Sequence, residues 1–338
     1  MRAGFFRSGG VRNIATPAVL KRDALMNCRR FTMRKTLLFS TLMLTLAACQ
    51  PTEAPKQAAE PAPAPVAEPA PAPAPTPAEA FAAKLDGAIA GTHRNDANKG
   101  RDVFRHPKET LAFFGLAPGQ TVIEITPGGG WYTEILAPTL KGEGTFIGAI
   151  IDPASAASDG AKAYYTKGNQ ALRDKLAANP ELYGETQLVE FNMASPSFGA
   201  DGSADLVVTF RNVHNWVGQD AAPGMFEGFF KVLKPGGVLG VVEHRAKADD
   251  TRDIKELAKT GYFPEALVIE MATKAGFTLA EQSEINANPN DTKDHPNGVW
   301  TLPPSLNMKD VPETDHIKYA AIGESDRMTL KFVKPAAQ

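Results

Sequence analysis

The segment Thr121-Val-Ile-Glu124-Ile-Thr126-Pro127-Gly128-Gly129-Gly130-Trp131-Tyr132 decides how this chain folds. An apolar run of strand length ends in a proline and three glycines, and Trp131 to Leu140 then reads as a helix. A glycine cluster between strand and helix lets the backbone adopt positive φ and approach a ligand closely. Such a loop can cradle a dinucleotide, a phosphate or a nucleoside. No Gly-Lys-Ser/Thr follows, so the phosphate-loop pattern is missing. The dinucleotide pattern fails as well, because Thr133 stands where a third glycine is wanted. What remains is an acid, Glu124, in the strand just ahead of the loop.

Outward from this unit, strand-length apolar runs alternate with helix-length amphipathic stretches, the pattern of a doubly wound α/β sheet. The expected strands are Thr121–Ile125, Gly144–Ile151, Thr186–Phe191, Asp205–Phe210, Val238–Val242, Phe277–Glu281 and Arg327–Val333. The expected helices between them are Ala161–Ala178, Gly224–Leu233 (ended by Lys234-Pro235-Gly236-Gly237) and Glu265–Ala275. No internal repeat is visible, and the count suits one domain over residues 81–338.

Glu124 followed by Thr126-Pro127-Gly128-Gly129-Gly130 resembles the first motif of class I S-adenosylmethionine-dependent methyltransferases. Thr126 takes the place of that motif's first glycine, while Gly128 and Gly130 match the other two. The resemblance is closest to a group of predicted methyltransferases sharing three motifs, found here at Arg105–Pro107, Pro127–Tyr132 and Phe210–Trp216. It implies a Rossmann-like sheet of order 3-2-1-4-5-7-6 and S-adenosylmethionine as cofactor. It places Glu124, Thr126, Gly128, Gly129 and Gly130 at the cofactor. Asp152, ending the second strand, would accept the ribose hydroxyls; with Pro153 after it, a capping role is the alternative. Asn192, after the third strand, would meet the adenine amino group. Arg105, ahead of the first strand near Arg101 and His106, would pair with the cofactor carboxylate.

If that order holds, the ends of strands one, four and five are neighbours, where open α/β sheets bind ligands. Arg211-Asn212-Val213-His214-Asn215-Trp216 and Glu243-His244-Arg245 then share one rim. Histidine suits proton removal near neutrality, which makes His214 the candidate base, with Arg211 and Asn212 beside it; capping or packing of the loop after the fourth strand is the alternative for His214. Asn215, Trp216, His244 and Arg245 are the candidate substrate contacts. The polar run 288–298 reads as a lid or substrate loop. A cation held there by Asp291, Asp294 and His295 is a minor alternative; no metal is expected.

The first 80 residues carry a different message. Met33-Arg34-Lys35 opens a short apolar run to Leu46, followed by Ala47-Ala48-Cys49. That pattern fits a secretory signal over 33–48, too short to span a bilayer. Its end resembles a bacterial lipobox, which implies lipidation of Cys49, a membrane anchor and a periplasm-facing location. Gln50 favours the outer membrane. Residues 1–32 read as an over-extended start, and 49–80 as a Pro/Ala-rich spacer of extended, polyproline-like path. Both cysteines, Cys28 and Cys49, precede residue 50, which removes thiol chemistry from the rest of the chain. A net charge of −2 offers no footprint for nucleic acid. The expected acceptor is a small molecule or an envelope component. A non-catalytic, nucleoside-type binding or scaffolding lipoprotein is the competing reading.

Overall fold

The computed structural model describes residues 74–336. The signal segment, Cys49 and most of the expected spacer lie outside these residues. The first helix, α1 (Pro77–Ala90), starts inside the stretch assigned to the spacer. Thr76 accepts from the Glu79 backbone while Glu79 reaches back to the Thr76 backbone, a capping box with proline at the first turn. Three short helices follow: α2 (Asp96–Lys99), α3 (Asp102–Arg105) and α4 (Pro107–Phe114).

Seven strands form one sheet: β1 (Thr121–Ile125), β2 (Thr145–Ile151), β3 (Gln187–Phe191), β4 (Ala204–Phe210), β5 (Leu233–His244), β6 (Thr278–Ser283) and β7 (Arg327–Val333). Their order is β3-β2-β1-β4-β5-β7-β6, with β7 antiparallel to both neighbours. The remaining helices are α5 (Thr133–Leu140), α6 (Asp159–Ala177), α7 (Pro180–Tyr183), α8 (Val213–Gly218), α9 (Ala222–Val232), α10 (Ile254–Thr260), α11 (Glu265–Lys274) and α12 (His316–Ile322). No helix among the described residues is long and apolar enough to cross a membrane.

Both faces of the sheet are covered, so its central strands need apolar residues at successive positions. Val122 and Ile123 are adjacent in sequence yet belong to different core clusters. Val122 packs with Phe114, Ile135 and Leu206; Ile123 packs in the cluster of Val207, Phe226 and Phe229. β5 is longer than expected, because the Lys234–Gly237 turn is drawn into the strand beside Ala204, with a register shift before Leu206. Crossovers run one way from β1 to β2 and the other way to β4, which leaves a crevice at the carboxyl ends of β1 and β4.

The polar run 288–298 is pinned to the body of the fold. Asp291, buried, accepts from the Tyr262 hydroxyl (2.8 Å), the Asp326 backbone (2.8 Å) and the Lys293 backbone (2.9 Å), and it pairs with His295 Nε2 (2.7 Å). Asp294 instead meets Lys247. The run expected as a lid or substrate loop is thus held in place at Asp291, because burying an acid requires this many donors.

A candidate cofactor and acceptor site at the sheet switch point

The β1–α5 loop is shaped by left-handed backbone. Thr126 has φ +50°, Gly128 +58° and Gly130 +76°. A Cβ added at Gly128 or Gly129 would meet nothing within 4 Å, so these two glycines face open space, whereas one at Gly130 would meet Leu172 at 3.0 Å. Lys175 of α6 clamps the loop, donating to the Gly129 carbonyl (2.8 Å) and pairing with Glu134 (2.5 Å). Asn98 also donates to Glu134 (2.9 Å), and the Trp131 indole donates to the Asn98 carbonyl (3.0 Å), which ties α2 to the loop.

Above this loop lies a cavity of about 480 Å³. Glu124, Thr126, Gly128, Arg105, Arg211 and Asn212 are among its walls. Glu124 is buried and accepts a 2.6 Å hydrogen bond from Thr133. Burial pushes its carboxyl up to about 7, against the pull of that hydrogen bond and of Lys175 and Arg211. Thr126 Oγ1 is buried with no hydrogen-bond partner. A buried hydroxyl without a partner is costly, and one in the wall of a cavity marks a place for a ligand's polar atom. Gly128→Val should add left-handed strain of about 1–2 kcal/mol and fill the open side of the loop. Thermal unfolding should show a fall in Tm, and the cavity should lose most of its ligand capacity.

Two cofactor candidates turn onto their own backbone, Asp152 in the capping role given as its alternative. The Asp152 carboxylate caps the turn Pro153–Ser155 by accepting from the Ala154 backbone (2.8 Å), and the residue does not line the cavity. Asn192 likewise folds onto its own backbone, accepting from Ala194, and its neighbour Met193 faces the cavity instead. Both are short polar side chains at strand ends, where the nearest free donors are local backbone amides. Trp216 touches the cavity but is 1% exposed, with Phe226 and Phe229 around its ring.

A second cavity, about 320 Å³, shares Arg101, Arg105, Tyr164, Arg211 and Asn215 with the first. His214 and His244 line it, as the strand order required. His214 Nδ1 lies 3.0 Å from Glu243 Oε1, so a Nδ1–H donated to that carboxylate leaves Nε2 as the free ring nitrogen. The sequence had not assigned a role to Glu243, which is fully buried. It also accepts from the backbones of Val213 (2.6 Å), His214 (3.3 Å) and His244 (2.8 Å). His244 Nδ1 is 2.5 Å from Ser325 Oγ. Burial, together with the charges of His214, Arg211, Arg327 and Arg105, holds His244 well below the usual imidazole range, in its neutral form. His214, Glu243 and His244 each bring one ligand atom within 4.8 Å of the others. Glu243's oxygens are already taken by four donors and three guanidiniums crowd the cluster, so the set suits an oriented base better than a cation cage.

Arg245 is not at this site. Its guanidinium is held by Asp326 (3.0 Å), Glu284 (2.5 Å) and Glu265 (3.4 Å), and it lines neither cavity, which corrects the expectation of a substrate contact. Successive strand residues point to opposite faces, so His244 turns toward the cavity and Arg245 away. Asn212 spends its amide donors on the Ile125 carbonyl and Thr209 Oγ1, which pins the ends of β1 and β4 together. Glu324, missed in the sequence because it lies just before β7, binds Arg101 (2.6 Å), Arg105 (3.0 Å) and Arg327 (2.9 Å).

The strand order and its antiparallel β7 are those of the Rossmann-like methyltransferase fold. No family model matches the chain, and no curated protein does. Among solved structures, the chain is similar to a SAM-dependent methyltransferase from Aquifex aeolicus at 14% identity, with 75% of this chain and 98% of that one covered and a TM-score of 0.45. A SAM-dependent methyltransferase from Methanosarcina mazei is 14% identical over 67% of this chain and 97% of its own, with a TM-score of 0.44. The cyclase SpnF is 18% identical over 78% and 98%, with a TM-score of 0.46. A fold can host more than one reaction, so function has to be argued from the site.

Proposed function

We propose that this chain binds S-adenosylmethionine over the β1–α5 loop and transfers its methyl group to an acceptor in the adjoining cavity. The observation that carries this reading is the continuity of the two cavities. One has an open glycine wall, an orphan Thr126 hydroxyl and a buried Glu124; the next presents an imidazole oriented by a buried carboxylate. The residues present fit the cofactor: the glycines leave room for it, Glu124 suits a cationic group and Arg105 suits a carboxylate. When bound, the cofactor supplies an electrophilic methyl on a sulfonium. The chain's own part is to hold the acceptor in line, which supplies much of the rate in such displacements. His214 Nε2 would take the proton from the acceptor's nucleophile, while Glu243 keeps the ring in the right tautomer.

Titration of S-adenosylmethionine and S-adenosylhomocysteine into the full chain tests this, with micromolar binding expected. No binding of either ligand by folded protein would overturn it. The buried acid adds a sign. A carboxyl near 7 is half protonated at neutrality, and a cationic ligand favours its ionised form, so binding should release a proton. Affinity should rise between about pH 6 and 8 and then level off, and Glu124→Gln should flatten that dependence. Calorimetry in two buffers of different ionisation enthalpy reads the proton directly.

A non-catalytic binding role is the second reading, favoured by Asp152 and Asn192, which turn onto their own backbone rather than toward the cavity. Cofactor binding without methyl transfer would select it. The location is also a proposal: export by residues 33–48, lipidation at Cys49 and a periplasm-facing anchor, the acceptor then being a small molecule or an envelope component. Cys49→Ser should abolish labelling by a fatty-acid analogue and release the protein from the membrane fraction.

A further inference from the structure

Within the proposed methyl-transfer reading, we infer that the acceptor is an organic oxyanion, a carboxylate or phosphate on a small apolar body, anchored by Arg211. Arg211 lines both cavities at their junction. Its guanidinium makes no hydrogen bond or ion pair among the described residues, whereas Arg101, Arg105 and Arg327 share Glu324. The backbone of Arg211 stands at φ +62°, a left-handed conformation that disfavours residues with a Cβ other than asparagine and aspartate. Strain kept at a loop that delivers an unpaired cation to a cavity points to a ligand rather than to packing.

A second observation agrees. Arg105 is 2% exposed, and its Nη1 is buried without a partner, although the same guanidinium bonds Glu324 through Nε. If Arg105 takes the cofactor's carboxylate, Arg211 still has no anion. The second cavity is lined by three arginines and a single carboxylate, Glu324, which is already engaged by three guanidiniums. The planar fork of arginine matches a carboxylate or phosphate through two parallel hydrogen bonds. Across the same cavity stand Val299, Trp300, Pro303 and Pro304, an apolar wall for the rest of the molecule. The His214 ring lines the same cavity, edge-on to Trp300 at 6.1 Å. An acceptor with its anion on Arg211 and its apolar part on this wall would share the cavity with the candidate base.

The test uses the full chain saturated with S-adenosylhomocysteine and titrated with benzoate, phenyl phosphate and, as the neutral match, benzamide. At least one of the two anions should bind about 10-fold or more tighter than benzamide, and the tighter one names the oxyanion. Arg211→Asn tolerates the left-handed backbone and removes the charge. It should cancel that preference in protein that still folds and still binds S-adenosylhomocysteine. Equal binding of anions and benzamide, or an anion preference that survives Arg211→Asn, would overturn the inference with the methyl-transfer reading intact. Anion binding by protein that fails to bind S-adenosylhomocysteine would overturn that reading and the acceptor assignment with it.

Discussion

Glu324→Ala is expected to lose about 3–5 kcal/mol of folding stability, the largest effect of any single substitution near the site. Glu324 is 4% exposed and is the common partner of Arg101, Arg105 and Arg327. Its removal leaves several guanidiniums facing one another in a region from which water is mostly excluded. Arg105 already shows the tension, its basicity lowered well below the usual value by burial and by the Arg211 charge, against the help of Glu324. Burial pushes the Glu324 carboxyl up, but the charges of Arg105, Arg327, Arg211 and Arg101 outweigh it and hold it at about 2.

A depressed carboxyl stabilises the fold at pH above its unfolded value of about 4.5, and that stability is lost as pH falls through 2. A shift of this size corresponds to about 3 kcal/mol. Glu124 runs the other way. Its raised carboxyl favours the protonated form, so its contribution fades as pH rises from about 4.5 through 7. Urea unfolding of wild type, Glu324→Gln and Glu124→Gln from pH 2.5 to 8 separates the two windows. Glu324→Gln should lose the acid limb, and Glu124→Gln should flatten the neutral one. A wild-type acid limb retained in Glu324→Gln would refute the assignment.

The second large effect concerns Glu243. Glu243→Gln keeps the size of the side chain but turns an amide donor toward a nest of N–H groups from Val213, His214 and His244. A buried donor facing donors costs about 1–3 kcal/mol, and the His214 ring loses the acceptor that sets its tautomer. Stability should fall by that amount. Affinity for S-adenosylmethionine should change little, because Glu243 does not line the larger cavity. Methyl incorporation from labelled cofactor into a whole-cell extract should drop by about 100-fold or more if His214 is the base. Equal losses of cofactor binding and transfer would mean that Glu243 only supports the loop.

How much was legible in advance follows from the range of each interaction. The strands β1 and β7 were expected at their observed bounds, Thr121–Ile125 and Arg327–Val333, because one reads as a mostly apolar run and the other alternates polar and apolar residues. The strand order came through resemblance, and with it the meeting of His214 and His244 at one rim. The first helix was missed, and its start was assigned to the spacer, although its signal, Thr76-Pro77-Ala78-Glu79, was in plain view: the proline-rich tract before it masked the capping box.

Local sequence determined what local forces govern: apolar strands, a glycine loop whose left-handed turns need no side chain, and the helix starts marked by proline and threonine. Tertiary structure alone decided which charges are paired. Arg245 and Arg211 look equally available in the sequence, yet one is clasped by three carboxylates and the other lines two cavities and pairs with no carboxylate among the described residues. Glu243 and Glu324 draw their importance from donors far along the chain: Arg105 lies 219 residues from Glu324, and His214 lies 29 from Glu243. A charge is set by everything within a few ångströms of it, and only the folded chain brings those neighbours together.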